Sequence, residues 1–298
     1  MFKMSEYTFI AGILSVALAI VFYVVSLVSV RVTSRRTELA TVGGGTVDGG
    51  TSVSVSSTPN AFGTYGTLVA WLSFLFLIAS MTFRAVATGH GPFANMYEFS
   101  IAFATGVIGV YLYFERRYNQ RVLGLIALPI ALLMLLYATT IPATADPLVP
   151  ALQNNLLLTV HVAVAIVAYG TFSVSFAAAV LYLLQSHGVK HLPKAELLDE
   201  ISYRAVVIGF PFMTLVIVLG AVWANVAWGS YWSWDPKETA SLVTWLIYGA
   251  YLHARVVRGW RGDRAAWLLV VGFGATLFTY FGNLFFGGLH SYSGLDNG

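Results

Sequence analysis

No cysteine occurs in the 298 residues, so disulfides, thiolate metal sites, thiol catalysis and a covalent c-type haem attachment motif within this chain are all excluded. Charge is scarce as well: 10% of residues are Asp, Glu, Lys or Arg, whereas a soluble domain carries about 25%. Hydrophobic residues make up 58% and the mean hydropathy is +0.76. These values describe an all-α, polytopic membrane protein whose core is a helix bundle. The net charge of +3 is small, and nothing in its distribution points to a nucleic-acid partner. Residues 40–60 are rich in Gly, Ser and Thr but lack the Gly-Lys-Ser/Thr ending of a phosphate loop.

A membrane-spanning helix needs about 20 mostly apolar residues. Eight stretches qualify: 8–30, 62–84, 97–114, 121–138, 156–185, 205–227, 239–257 and 265–286. Basic residues follow the first run instead of preceding it, so that run reads as a retained span and not a signal peptide. Three regions are expected: an N-terminal transmembrane helix over 1–30, a flexible cytoplasmic linker over 31–60, and a seven-helix domain over 61–298. The linker would leave the first helix loosely tethered. Orientation follows the Lys and Arg of the connections. One side collects Arg31, Arg35, Arg36, Arg116, Arg117, Arg121, Lys190, Lys194, Arg204, Arg255, Arg258, Arg261 and Arg264; the other has only Lys3, Arg84 and Lys237. Both termini are therefore expected outside, together with the loops that hold His90, Asp146 and Trp228–Glu238.

That last loop reads WGSYWSWDPKE. Trp and Tyr favour the membrane–water interface, which makes it an interfacial belt on the simplest reading. Aromatic crowding of this density also makes a platform for a flat, apolar ligand. Of the six histidines, His187 and His191 lie four apart in a cytoplasmic connection and read as solvated loop residues. His161 sits one turn into the fifth span and His290 just after the eighth, both on the side of the Trp-rich loop. His253 lies deep in the seventh span, where an ionisable residue marks a candidate site, a core histidine bonded to a neighbouring helix being the alternative. Taken separately, His161 reads as a helix-end residue and His290 as a loop residue. Taken together on one face beside the tryptophans, the two imidazoles make a candidate pair of axial ligands to a haem iron.

The segment WGSYWSWDPKE resembles the Trp-rich "WWD" signature of haem-handling proteins in cytochrome c maturation. DPKETASLVTWLIYGAYLHAR, GHGPFANMYE, LQNNLLLTVHV and LHSYSG extend the resemblance, over about residues 62–293, to the CcsA/ResC branch of system II. That family usually has a tryptophan after the Glu-Thr of the signature; Ala240 stands there in this chain. The resemblance implies that His161 and His290 are axial ligands of haem b (iron protoporphyrin IX) on the outer side, under a platform that includes Trp228, Trp232 and Trp234. It implies that His253 ligates a second, intramembrane haem together with a histidine of a ResB/CcsB-type membrane partner. The implied function is that of a membrane subunit of a two-component holocytochrome c synthase (haem lyase), placed in a bacterial plasma membrane in preference to a thylakoid. It would bind haem, pass it across the bundle, and present it for thioether attachment to the Cys-x-x-Cys-His of apocytochrome c.

A haem exporter, a haem-handling protein of system I type and a b-type electron-transfer subunit are the alternatives. For the haem propionates, the cations on the outer side are Arg84 and Lys237, apart from the amino-terminal region. Lys237 is the preferred contact, although it also suits the start of the seventh helix. Asp235 belongs to the signature and is included among the haem-site residues. It also precedes Pro236 and stands three residues before Glu238, which is the pattern of a helix N-cap and capping box.

Overall fold

The computed structural model is all-helical, and it describes residues 1–42, 61–145, 148, 152, 155–189, 192–282 and 285–290. Eight α-helices follow in order: α1 Phe2–Val42, α2 Ala61–Thr88, α3 Met96–Tyr118, α4 Gly124–Thr139, α5 Asn155–Ser186, α6 Ala195–Trp228, α7 Pro236–Val257 and α8 Asp263–Phe281. Among the described residues seven helices are long and apolar enough to cross a membrane. The exception is α7, which carries Lys237, Glu238, His253 and Arg255. It is nonetheless a 22-residue helix packed between α6 and α8.

Two expectations change at the amino terminus. The first helix does not stop near residue 30; its backbone stays helical to Val42. The stretch RVTSRRTELATV contains no Gly or Pro, and the run of glycines from Gly43 is the first strong breaker. The remainder of the expected linker, residues 43–60, lies outside the described residues, as do Asp146 and His191. Nor is α1 loosely held. It packs along α2 and against α4. The contact is close because small residues face it: a Cβ on Gly66 would lie 2.6 Å from the Tyr23 ring, and the Ser73 hydroxyl donates to the Gly12 carbonyl at 2.9 Å.

Buried polar groups fix the helices at both ends. At one end the Glu115 carboxylate accepts from the hydroxyls of Tyr23 at 2.7 Å, Thr67 and Tyr111, which joins α1, α2 and α3. At the other, Arg84 Nε lies 2.7 Å from Glu98 Oε1, and its two terminal nitrogens donate to the carbonyls of Ala143 and Thr144 at 2.9 and 2.8 Å. Glu98 Oε2 also accepts from the Ala94 amide at 2.7 Å, while Asn95 caps α3 through the Glu98 amide. Arg84 is thereby spent on structure, tying α2, α3 and the chain after α4. Breaking a buried pair leaves an uncompensated charge, so Glu98→Ala should destabilise the protein by about 3–5 kcal/mol. Pairing it with Arg84→Met should recover most of that loss. Denaturant unfolding of the detergent-solubilised protein measures both.

Candidate functional site

The Trp-rich loop owes its shape to its carboxylates. Gly229 ends α6 with a left-handed φ of 77° and bonds back to Asn225. The chain then runs to Trp234, a tryptophan at φ 59°, an uncommon backbone for a bulky residue. Glu238 Oε2 holds it there by accepting from the amides of Ser233 at 2.8 Å and Asp235 at 3.2 Å. Asp235 returns the favour to α7, accepting from the Lys237 amide at 2.9 Å, which completes the expected capping box.

The same carboxylate reaches the far end of the chain. Asp235 Oδ2 accepts from the Leu289 amide at 2.6 Å, and Oδ1 lies 2.8 Å from His290 Nδ1. The approach is so close that a Cβ on Gly288 would fall 2.3 Å from Asp235 Oδ2. Burial pushes the Asp235 carboxyl up, but hydrogen bonds from His290 and the amides of Lys237 and Leu289 outweigh it and hold the group at about 2. Burial lowers His290, and its contact with Asp235 opposes that only in part. A neutral His290 beside a carboxylate, which can only accept, donates from Nδ1 and so carries its lone pair on Nε2.

A cavity of about 920 Å³, counting the space at its mouth, opens beneath this loop. Its lining is mostly apolar and aromatic with a few convergent polar groups, the make-up of a small-molecule site. His161 from α5, Trp223 from α6, Tyr231 and Trp232 from the loop, Lys237 from α7 and His290 all line it. Trp223 is 2% exposed and adjoins both histidines, its ring centroid 6.5 Å from that of His161 and 5.7 Å from that of His290. His161 Nδ1 is buried without a hydrogen-bond partner among the described residues. A Cβ on Gly220 would come within 3.0 Å of the His161 ring, so the glycine of α6 makes room for it.

Comparison with known proteins turns this geometry into a family assignment. The family described as Cytochrome C assembly protein matches residues 93–290, which is α3 through His290. The cytochrome c biogenesis protein CcsA of Guillardia theta is 38% identical over 262 residues, covering 78% of this chain and 86% of that protein. This chain belongs to the CcsA family. CcsA of Gloeobacter violaceus is likewise 38% identical, with 78% and 87% covered. CcsA of Chlamydomonas reinhardtii is 42% identical over 234 residues, covering 74% of this chain and 66% of the algal protein. Among solved structures, a cytochrome c haem lyase, CcmF, superposes with a TM-score of 0.62 at 20% identity. That likeness concerns the fold; it covers 92% of this chain, which spans only 46% of the CcmF chain.

Membership in the CcsA family makes this a multi-pass membrane protein of cytochrome c maturation. Within it, the structure sorts the residues expected of the site. His161, His290, Trp232 and Lys237 meet at the cavity. Trp228 sits behind it, edge-on to Trp223 at 4.7 Å and to His290 at 5.0 Å. Trp234 does not line the cavity; it is 69% exposed and edge-on to Trp232. Asp235 does not line it either, because its oxygens are taken up by the cap and by His290. His253 is not part of this site: it stands exposed on α7, four residues before the end that points away from the loop. Arg84, the other outer cation, is committed to Glu98, whereas Lys237 makes no ion pair among the described residues and lies 5.7 Å from the Phe99 ring centroid. Trp223 was not anticipated. It lies within an apolar span, and only its place in the series Trp223, Trp228, Trp232, Trp234 hints that it continues the platform.

Removing the brace tests this construction. Asp235→Ala should cost about 1 kcal/mol in helix capping alone, and it should raise amide hydrogen exchange at both 233–238 and 285–290. In the unaltered protein the carboxylate's contribution is complete above its ordinary pKa near 3.8 and is lost as the pH falls through about 2.

Proposed function

We propose that this chain is the haem-presenting membrane subunit of a cytochrome c synthase, with His161 and His290 as the axial ligands of haem b at the outer face. The observation that carries the reading is the convergence of these imidazoles, one from α5 and one from the chain beyond α8, on one aromatic cavity. The donor set suits the group. His161 offers a buried Nδ1 that makes no hydrogen bond among the described residues, and His290 is oriented by a carboxylate, as ligating histidines commonly are. Trp223 and Trp232 supply flat apolar walls, and Lys237 supplies a cation for a propionate.

The orientation is the one that places this cavity outside. Arg116, Arg117, Arg121, Lys194, Arg204, Arg255, Arg258, Arg261 and Arg264 all belong to the end of the bundle opposite the loop, as positive charges on a cytoplasmic face would. When bound, haem supplies the vinyl groups to which the Cys-x-x-Cys thiols of apocytochrome c add. His161 and His290 would hold the iron, Trp223 and Trp232 would pack against the ring, and Lys237 would bind a propionate, so that the chain's own contribution is positioning. His253, exposed on α7, suits a second haem site completed by a histidine of a ResB/CcsB-type partner in a bacterial plasma membrane.

His161→Ala and His290→Ala should each abolish holocytochrome c in a host without its own pathway, and should remove or shift the Soret band of the purified complex. An exporter with no part in attachment would instead have its outer-compartment defect cured by added haem. Normal haem-staining cytochrome c in both variants would refute the assignment.

A further inference from the structure

The way into this cavity is restricted by what surrounds it. A direct passage through the bundle is closed. Phe172 lies flat on Tyr248 with centroids 3.6 Å apart, and Thr244 and Thr279 are hydrogen-bonded at 2.9 Å, all four of these side chains being buried. Phe103, stacked on Tyr169 at 5.1 Å and edge-on to Tyr280 at 5.2 Å, closes the side toward α3.

The seam between α6 and α7 changes character with depth. Low in the seam it is shut: Phe210 stacks on Trp245 at 5.3 Å, and the Trp245 indole N–H donates to the Thr214 hydroxyl at 2.9 Å. A Cβ on Gly249 would stand only 3.4 Å from the Phe210 ring. One helical turn higher, the cavity wall consists of Ile217, Gly220 and Ala221 on α6 and Ser241 on α7, all half-buried. Among the described residues no hydrogen bond or ring stack joins the two helices at that level; the Ser241 hydroxyl bonds within its own helix, to Glu238. Leu215, Val218 and Val222 on one side, and Val243 and Leu246 on the other, present exposed apolar side chains that face lipid.

We infer that the cavity is filled sideways from the bilayer, through a port between α6 and α7 whose sill is Trp245, Thr214 and Phe210. The port suits a flat, mostly apolar molecule that partitions into membrane, and small wall residues let such a plate pass edge-on. That the molecule is an iron porphyrin rests on the function proposed above. The route then differs from a passage through the bundle. Val243, Leu246, Ala250 and His253 form one exposed stripe of α7, so a ligand leaving His253 climbs the outside of that helix to reach the sill.

The absence of cysteine makes the test clean. In the full chain, Ile217→Cys and Ser241→Cys would be bridged in membranes by a bifunctional thiol reagent with a reducible spacer, and uptake of added haem followed by the Soret band. Bridging should slow uptake by about tenfold or more, and reduction of the spacer should restore it. Trp245→Ala, which lowers the sill, should speed loading. Equal uptake with the seam bridged and unbridged overturns the port and leaves the haem site standing. No Soret band in the unbridged protein, or one unchanged by His161→Ala, overturns the site reading instead. Failure of both short and long reagents to bridge the pair contradicts the facing arrangement on which the port depends.

Discussion

One carboxylate holds the end of the bundle that carries the Trp-rich loop together. Asp235 starts α7 by accepting the Lys237 amide, and it secures the chain beyond α8 by accepting from Leu289 and His290. Two segments more than fifty residues apart thus share a single acceptor. Without it, His290 would lose the hydrogen bond that orients its ring, leaving its contacts with Trp223 and Trp228 to hold it. Glu238 performs the complementary task on the loop, and the left-handed Trp234 is the conformational cost of the tight path between them.

Helices and their order were legible in the sequence because apolar runs separated by basic connections leave few alternatives. The capping box could be read from the spacing of Asp235, Pro236 and Glu238, and the placing of His161 and His290 on the side of the Trp-rich loop from their positions one turn into the fifth span and just after the eighth. What could not be read was packing. The continuation of α1 to Val42 depends on the absence of a breaker, which a hydropathy reading overlooks once Arg31 is reached. The fate of Arg84 depended on Glu98, fourteen residues away and facing it only because α2 and α3 are antiparallel. Trp223 looked like any apolar residue of α6 until the helix phase turned it toward two imidazoles.

The residues of the signature also divide their labour differently than a motif suggests. Trp232 and Lys237 face the cavity, Trp228 backs it, Trp234 faces solvent, and Asp235 never reaches it. A motif therefore records several physical demands at once: turn geometry, helix initiation, interfacial anchoring and ligand contact. Only the last of these concerns chemistry directly.

The stack of Phe172 on Tyr248 has a consequence for the cell's energetics. A cavity at one end of a membrane bundle that reaches down to Thr279 would, with a water-lined continuation, become a leak for protons and other ions. The aromatic pair, at 3.6 Å and buried, closes the space between the helices in mid-bundle. The cavity beneath the loop therefore ends on a close-packed floor and does not continue as a polar path between the helices.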